Sequence, residues 1–178
     1  MDIYNAYVNA DLDEPIYMRQ PQGYIQVSDQ HVLKLNKAMY GLKQSGRAWY
    51  KCLSTAMDKI GFSKFKSDGA VFYRHPGKGF AIIAVAVDDL TITAKNDNII
   101  QEIKADLMKI FKMKDLGELH WVLNLKIKCN RTEKSISFSQ EAYIDKILNR
   151  FNLQDSKMNI TPLDPKYTSN KRSMLFYR

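Results

Sequence analysis

Short runs rich in β-branched and aromatic residues recur along the chain and predict its β-strands. In several of these runs apolar and polar residues alternate, which is typical of a strand with one buried face. The predicted strands are residues 3–8, 15–19, 31–35, 70–74, 80–87, 90–93, 121–128 and 135–139.

Three segments instead repeat apolar residues at helical spacing, and each predicts a core-facing helix of about three turns. These segments are residues 48–60, 99–111 and 144–151. Strands clustered between helices indicate an α+β domain in which an antiparallel sheet is covered on one face by helices. Residues 129–134 separate two alternating runs and are predicted to form a hairpin loop.

The segment AIIAVAVDDLTIT, residues 81–93, places two adjacent carboxylates, Asp88 and Asp89, inside an apolar and β-branched run. It predicts a strand, a tight turn formed by the two aspartates, and a second strand. Asp is favoured in turns because its side chain bonds nearby backbone NH groups. A second interpretation is a metal site, in which the hairpin holds its acidic tip beside hard divalent cations such as Mg²⁺. That interpretation requires a third carboxylate from a different strand.

The composition indicates one domain with a core, because the chain has 178 residues and is 45% hydrophobic. No apolar run approaches the roughly 18 residues of a bilayer span, and the N-terminus is acidic, so neither membrane insertion nor secretion is expected. The 2 cysteines lack CxxC spacing and a neighbouring histidine pair, which argues against a disulfide framework and a zinc site. A reducing intracellular compartment is expected, and the cytoplasm and the nucleus are not distinguished.

The net charge of +8 favours an anionic partner, with nucleic acid ahead of a membrane surface. The charge is unevenly distributed. Residues 1–31, the acidic edge, carry five Asp or Glu against one Arg, and residues 32–66, the basic band, carry eight Lys or Arg against one Asp. A solvated surface without a partner is the alternative interpretation of the basic band.

Asp2 lies in a predicted strand with the aromatic Tyr7 five residues later, so it is a candidate for the third carboxylate. Six segments then occur in a specific order: MDIYNAYVNADLDEPIYMRQPQGY, LNKAMYGLKQSGRAWY, VAVDDLTIT, FKMKDLGELHWVLNLKI, ISFSQEAYIDKILNRF and TPL. This order resembles the reverse transcriptase of copia-type long-terminal-repeat retrotransposons over residues 1–163.

The resemblance implies a polymerase palm and the start of a thumb over residues 1–163, followed by a disordered tail at residues 164–178. It implies that the fingers are missing upstream of the first catalytic aspartate, and that the chain stops before a ribonuclease H domain. The implied activity is RNA-directed DNA synthesis by nucleotidyl transfer onto a primer 3′-hydroxyl. The implied partners are an RNA template, a DNA primer, deoxynucleoside triphosphates and other Pol segments.

The resemblance also implies a metal site in which Asp2, Asp88 and Asp89 hold two Mg²⁺ ions, with Mn²⁺ as a possible substitute. Such ions lower the pKa of a primer 3′-hydroxyl and stabilise charge during in-line displacement at the α-phosphate. Asp88 is expected to be the more direct ligand, because the second aspartate of the pair is usually the less critical one in polymerases of this kind.

The segment YGLKQSGRAWY resembles the strand-to-helix element that supports the template and the nascent base pair. Gly41 would permit close approach of the backbone, and Lys43, Gln44 and Arg47 would reach phosphates or the templating base. Tyr40 belongs to the same implied substrate site. Solvated charges at a helix end are the alternative for Lys43 and Arg47.

Two further elements complete the implied site. Tyr7 would pack beneath the incoming sugar and clash with a 2′-hydroxyl, and a buried aromatic of the sheet is the alternative. The hairpin from residue 121 to residue 139 resembles the element that positions the primer strand. Its Lys126, Lys128 and Arg131 would face backbone phosphates, with binding that weakens as salt rises.

The chain departs from the family pattern at three positions. Ala86 stands where a tyrosine usually precedes Val-Asp-Asp, Gly46 replaces a proline that would favour a helix start, and Asn124 replaces a glycine. A non-catalytic nucleic-acid-binding remnant, or a relic of such a polymerase, is therefore the alternative to an active enzyme.

Overall fold

The computed structural model describes residues 1–24, 28, 30–75, 77 and 79–157. The chain divides into two compact units, unit 1 at residues 1–119 and unit 2 at residues 120–178. The predicted tail at residues 164–178 and the TPL segment lie outside the described residues.

The strands of unit 1 are β1 (Asp2–Ile3), β2 (Asp11–Arg19), β3 (Val32–Lys37), β4 (Ser63–Lys64), β5 (Val71–Arg74), β6 (Ala81–Ala86), β7 (Asp89–Ala94) and β8 (Met113–Lys114). Its α-helices are α1 (Ser45–Lys59) and α2 (Asp97–Ile110), and a 3-10 helix spans Ala6–Asn9. Unit 2 contains β9 (Trp121–Val122), β10 (Leu125–Asn130), β11 (Ser135–Ser139) and α3 (Glu141–Arg150). None of the helices in the described part of the chain is long and apolar enough to cross a membrane.

The main sheet of unit 1 has the strand order β4-β5-β6-β7-β1-β8, and all its neighbouring strands are antiparallel. Burial alternates along its strands, so that on β6 Ile83 is buried and Ala84 is exposed. The buried face shares one apolar core with α1 and α2, which contribute Leu53 and Leu107 among others. The predicted α+β class, built on antiparallel strands and helices, is confirmed. The assignment to a palm and a thumb stays a prediction.

The helical stripes predicted for α1 and α2 are confirmed in most positions. Trp49 and Met57 of α1 are both buried. Their separation is a multiple of four residues, which places them on the same face of the helix. Asn96 caps α2 by accepting a hydrogen bond from the Ile99 amide at 3.1 Å. Ile110 departs from the prediction, because it is 41% exposed at the end of α2.

The predicted core stripe of α3 is wrong for Ile144 and Phe151, which are 53% and 62% exposed. The helix forms at the predicted place, but none of its residues is buried. Three short strands and one helix enclose little volume, and among the described residues of unit 2 only Ile127 is a buried apolar residue.

The predicted strand at residues 3–8 is wrong beyond its start. Asn5 adopts a left-handed backbone with φ 49°, and the 3-10 helix begins directly after it. The Asn9 amide stabilises this turn by donating to the carbonyl oxygens of Tyr4, Asn5 and Ala6 at 3.2, 3.1 and 3.2 Å. Local hydrogen bonds of an Asn side chain therefore replace the extended backbone that the residue pattern predicts.

The predicted strand at residues 121–128 is interrupted by Leu123 and Asn124, whose φ values are 47° and 64°. β10 then continues through Asn130, so the predicted loop at residues 129–134 is shortened to residues 131–134. Asn tolerates a left-handed backbone better than most residues, which fits the place where the resemblance expects glycine.

Arg74 at the end of β5 is a buried cation, with only 3% of its surface exposed. Its Nη1 donates to Glu102 Oε1 at 3.0 Å and its Nε donates to the Gly79 carbonyl at 3.2 Å, while the guanidinium lies 5.7 Å from the centre of the Phe62 ring. Its Nη2 is enclosed and finds no partner among the described residues. Glu102 of α2 is the counter-charge, so this pair ties the helix to the sheet.

A second ion pair connects α2 to the segment that follows β8. Lys104 Nζ donates to both carboxylate oxygens of Asp115 at 3.0 and 2.7 Å, and the Gly117 amide donates to the same carboxylate at 3.0 Å. The Lys104 bond, followed by the Gly117 bond, holds the pKa of Asp115 below its ordinary value.

Asp115→Asn is expected to lower the free energy of unfolding near neutral pH by about 1 kcal/mol, because it removes a charge-assisted hydrogen bond. A carboxyl whose pKa is lowered by folding stabilises the fold above its ordinary pKa of 3.8 and loses that contribution as the pH falls further. The difference between wild type and variant should therefore shrink below about pH 4 in urea denaturation series. Asp106→Asn, at the surface pair with Lys109, is the control and should show a smaller difference at every pH.

Candidate active site

The acidic pair lies at the β6–β7 hairpin. Ala86 pairs with Asp89 across the strands, so the two turn residues are Val87 and Asp88, and Asp89 is the first residue of β7. The predicted hairpin is confirmed, but its turn lies one residue earlier than the predicted Asp88-Asp89 turn. As a result Asp89 is an exposed strand residue, whereas Asp88 is half-buried in the turn.

Trp49, a residue of the core, holds the turn in place through a hydrogen bond. Val87 has a φ of 57°, which is unfavourable for a β-branched residue. Its carbonyl accepts a hydrogen bond from Trp49 Nε1 at 2.9 Å. Trp49 is 3% exposed and meets Phe111 edge-on with ring centres 5.3 Å apart. The apolar core thereby fixes the strained residue next to Asp88.

Val87→Gly is expected to raise the free energy of unfolding by about 1 kcal/mol, because glycine adopts a positive φ without strain. Val87 is 46% exposed, so little packing is lost. Ala84→Gly, at an exposed position of β6, is the matched control and should instead lower it by about 0.5–1 kcal/mol. Denaturant unfolding of both variants measures the difference, and a loss of stability in both would contradict strain at Val87.

β1 brings Asp2 beside the hairpin. Asp2 is the cross-strand partner of Asp89, and the Ile3 amide donates to the Asp88 carbonyl at 2.8 Å. Directly opposed residues of an antiparallel pair project to the same face, with Cβ atoms roughly 4.5–5.5 Å apart. On its other side Asp2 is paired with Lys114 of β8. The backbone therefore places the three predicted carboxylates at adjacent positions, with a lysine one strand further along.

The Asp88 side chain is engaged by a tyrosine. Its Oδ2 accepts a hydrogen bond from the Tyr40 hydroxyl at 2.5 Å, whereas its Oδ1 is enclosed without a hydrogen-bond partner in the described residues. The three carboxylates, including the Asp88 oxygen that lacks a hydrogen-bond partner, are the type of oxygen ligand that binds a hard cation such as Mg²⁺. Within the described residues, however, no group of three or more His, Cys, Asp or Glu side chains is arranged to hold a metal ion.

Tyr40 also contacts Tyr7, with ring centres 4.4 Å apart and planes inclined by 53°. The hydrogen bond to Asp88, followed by burial, raises the pKa of Tyr40 to about 12. Tyr7 lies in the 3-10 helix and not in a strand, and it is partly buried against the core, so the alternative is wrong in its sheet location only. A chain of contacts thus runs from the Asp88 carboxylate through the Tyr40 ring to the Tyr7 ring.

The segment before α1 and the first turn of α1 present polar residues to solvent. Gly41 has a φ of 96° and open space around its Cα, and Lys43 and Arg47 are exposed. Gln44, at the start of α1, donates from its side chain to Glu14 Oε1 at 2.8 Å. These residues are therefore accessible to solvent, and the φ of Gly41 is a reason for glycine there.

Part of the basic band is paired with the acidic edge. Lys37 lies 2.6 Å from Asp11 and Lys51 lies 3.4 Å from Asp13. All four side chains are at least 47% exposed, so these are weak surface pairs. They nevertheless reduce the positive field that this band would otherwise present to a polyanion.

Comparison with known proteins decides the family. The family described as "Reverse transcriptase (RNA-dependent DNA polymerase)" matches residues 1–165, which include the hairpin, β1 and the segment before α1. The chain belongs to the reverse transcriptase family.

Its relatives are proteins of retrotransposons. The reverse transcriptase domain is 41% identical to the retrovirus-related Pol polyprotein from transposon TNT 1-94 of Nicotiana tabacum, over 92% of this chain and 12% of that protein. It is 36% identical to the Pol polyprotein from transposon RE1 of Arabidopsis thaliana, over 93% of this chain and 11% of that protein. A transposon Ty5-1 protein of Saccharomyces cerevisiae is 34% identical over 92% of this chain and 53% of its own length.

These relatives confirm the resemblance to copia-type retrotransposon reverse transcriptases. The chain spans about half of the Ty5-1 protein and about an eighth of the tobacco polyprotein. No solved structure matches the chain.

In unit 2 of the reverse transcriptase domain, Lys126 and Lys128 lie on one face of β10. They are paired with Ser139 and Ser137 of β11, and Lys126 is also paired with Trp121 of β9, so this largely polar face includes one exposed tryptophan. Arg131 lies in the turn that joins the two strands and is exposed. The predicted phosphate contacts of these residues stay predictions.

Sequence reasoning missed three residues that support the site. It assigned Trp49 to the helix core alone and gave no role to Asn9 or Ser45. The buried Ser45 hydroxyl bonds both the amide and the carbonyl of Met39, at 3.2 and 2.5 Å. The burial of Trp49 and Ser45, and the contacts of the partly exposed Asn9, become a signal only once the fold is known.

Proposed function

We propose that this reverse transcriptase domain carries a site for RNA-directed nucleotidyl transfer, in which a primer 3′-hydroxyl attacks the α-phosphate of a deoxynucleoside triphosphate. The observation that carries the proposal is the in-register pairing of Asp2 with Asp89 next to the turn residue Asp88. Membership of the reverse transcriptase family supports it.

Asp2, Asp88 and Asp89 would hold two Mg²⁺ or Mn²⁺ ions, consistent with their oxygen donors and with the unsatisfied Oδ1 of Asp88. When bound, such ions lower the pKa of the attacking hydroxyl and stabilise charge on the phosphate. Lys114, the strand partner of Asp2, adds positive charge beside these carboxylates.

Around this site the chain's own side chains orient the nucleotide. Tyr7, supported by the Tyr40 ring, closes the side on which the sugar would lie and disfavours a 2′-hydroxyl. The backbone at Gly41 is open to approach, and the exposed Lys43 and Arg47 are available for phosphates. Gln44 would leave Glu14 to reach the templating base.

Nucleic acid is the proposed partner of the polar face of unit 2. Two lysines and their paired serines form a row of hydrogen-bond donors suited to a phosphate backbone. RNA template, DNA primer and neighbouring Pol segments are therefore the proposed macromolecular partners, which agrees with the Pol polyproteins among the relatives.

The test is primer extension on an RNA template with Mg²⁺. It compares wild type with Asp88→Asn, both as this chain and within a longer Pol segment, because the chain spans 12% of the tobacco relative. Asp88→Asn should reduce extension about a hundredfold or more, the effect typical of losing one charge-stabilising group. Asp58→Asn, at an exposed aspartate of α1, is the control and should leave extension unchanged.

A gel-shift series with increasing salt separates the two candidate functions. Salt-sensitive binding without extension in either length of protein would replace the catalytic proposal with nucleic-acid binding alone. The net charge of +8 and the polar face of unit 2 favour that second function if the catalytic one fails.

A further inference from the structure

The Tyr40–Asp88 hydrogen bond occupies the group on which the proposed metal site depends. Of the two Asp88 carboxylate oxygens, Oδ1 is enclosed and Oδ2 accepts the Tyr40 hydroxyl at 2.5 Å. Asp2 and Asp89 are adjacent through strand pairing, yet the three carboxylates do not form a metal-holding group in the described residues. The hydroxyl therefore occupies one of the two Asp88 oxygens that a cation would need.

Tyr40 is free to leave this position. The residue is 49% exposed, so water can replace Asp88 as the partner of its hydroxyl. Its backbone precedes Gly41, whose φ of 96° and open surroundings leave room for adjustment. The opposite change, moving the Asp88 backbone, is resisted by the bonds from Ile3 and Trp49 to this turn.

We infer that Tyr40 is a positioning residue for Asp88: its hydroxyl stabilises the carboxylate in the metal-free protein and is displaced when a divalent cation binds. This inference rests on the proposed function, because it concerns the same three carboxylates. The cation and the phenolic hydrogen, which carries a partial positive charge, compete for Oδ2, so each weakens the binding of the other.

Displacement of Tyr40 also affects Tyr7, the residue of the proposed sugar site. The Tyr40 ring contacts the Tyr7 ring, with 4.4 Å between ring centres. A ring that leaves Asp88 changes the support of Tyr7, so cation binding is coupled to the residue that would discriminate deoxyribose from ribose. Binding of the cation and rearrangement of the nucleotide pocket are therefore coupled.

The experiment measures Mn²⁺ binding to the full chain by electron paramagnetic resonance of the free ion. Tyr40→Phe retains the aromatic ring and removes only the hydroxyl. It should bind Mn²⁺ about threefold to tenfold more tightly than wild type, the range expected when one competing hydrogen bond to a charged group is lost. Tyr17→Phe, at a tyrosine of β2 that is 58% exposed, is the matched control and should equal wild type.

A second measurement separates positioning from a structural role. Without metal, Tyr40→Phe should have a slightly lower midpoint of thermal unfolding than wild type, while its Mn²⁺ affinity rises. A residue that only supports the fold would lower or preserve both quantities, so equal or weaker Mn²⁺ binding by Tyr40→Phe overturns the inference.

Asp88→Asn distinguishes the failure of this inference from the failure of the proposed function. If Mn²⁺ binding depends on Asp88 but is the same in wild type and Tyr40→Phe, the positioning role is wrong and the metal site stands. If binding is absent or is unaffected by Asp88→Asn, both proposals are wrong.

Discussion

Trp49→Ala is expected to lower the free energy of unfolding by about 3–5 kcal/mol, as for other large-to-small changes of buried aromatic residues. Trp49 is 3% exposed, packs against Phe111, and donates its indole hydrogen to the Val87 carbonyl at 2.9 Å. Its loss would empty the space between α1 and the sheet and release the turn that carries Asp88. Chemical denaturation followed by circular dichroism measures the change.

Trp49→Phe separates the contribution of apolar packing from that of the hydrogen bond. It retains most of the apolar volume and leaves the Val87 carbonyl without its donor, which should cost about 1–3 kcal/mol. Trp121→Phe, at a tryptophan that is 52% exposed, is the control and should change stability by less than about 0.5 kcal/mol. If Trp49→Phe is as stable as wild type, the hydrogen bond does not hold the turn.

The second large effect is expected at the buried cation of β5. Glu102→Gln should lower the free energy of unfolding by about 2–3 kcal/mol, because it leaves the Arg74 guanidinium, 3% exposed, without a counter-charge. Loss of the other partner should be milder. Glu102 is 57% exposed and can be hydrated, so Arg74→Met should remain within about 1 kcal/mol of wild type.

Equilibrium denaturation of the two variants tests this asymmetry. Asp13→Asn, at a surface pair whose side chains are 73% and 76% exposed, is the control and should have little effect. A greater loss in Arg74→Met than in Glu102→Gln would show that the contact of the guanidinium with the Phe62 ring outweighs the cost of its missing counter-charge.

The parts of the fold that follow from local patterns could be predicted from the sequence. β11 matches the predicted residues 135–139, and the β6–β7 hairpin and α1 form where alternation and helical spacing place them. The predictions fail where a long-range contact or a side-chain hydrogen bond determines the local structure. Asn9 converts a strand-like run into a 3-10 helix, and α3 remains exposed because burial depends on neighbours that periodicity does not reveal.

The site shows the same division. Asp88 and Asp89 are visible as charges in an apolar run, and Asp2 becomes a candidate through the order of the family segments. The Tyr40–Asp88 bond joins residues 48 positions apart, so no local pattern predicts it. The one-residue displacement of the turn depends on the positive φ of Val87, a conformation that its residue type opposes.

The short strand β1 has a consequence for the order in which the molecule folds. It contains two residues, and its pairing with β7 closes a loop that spans most of unit 1, since the bonded residues Met1 and Leu90 are 89 positions apart. Closing so long a loop is entropically unfavourable for so few bonds, so α1 and the β6–β7 hairpin should form before β1 docks. The carboxylate of Asp2 then joins the others at a late step of folding, and a partly folded chain would contain the aspartate hairpin without a complete site.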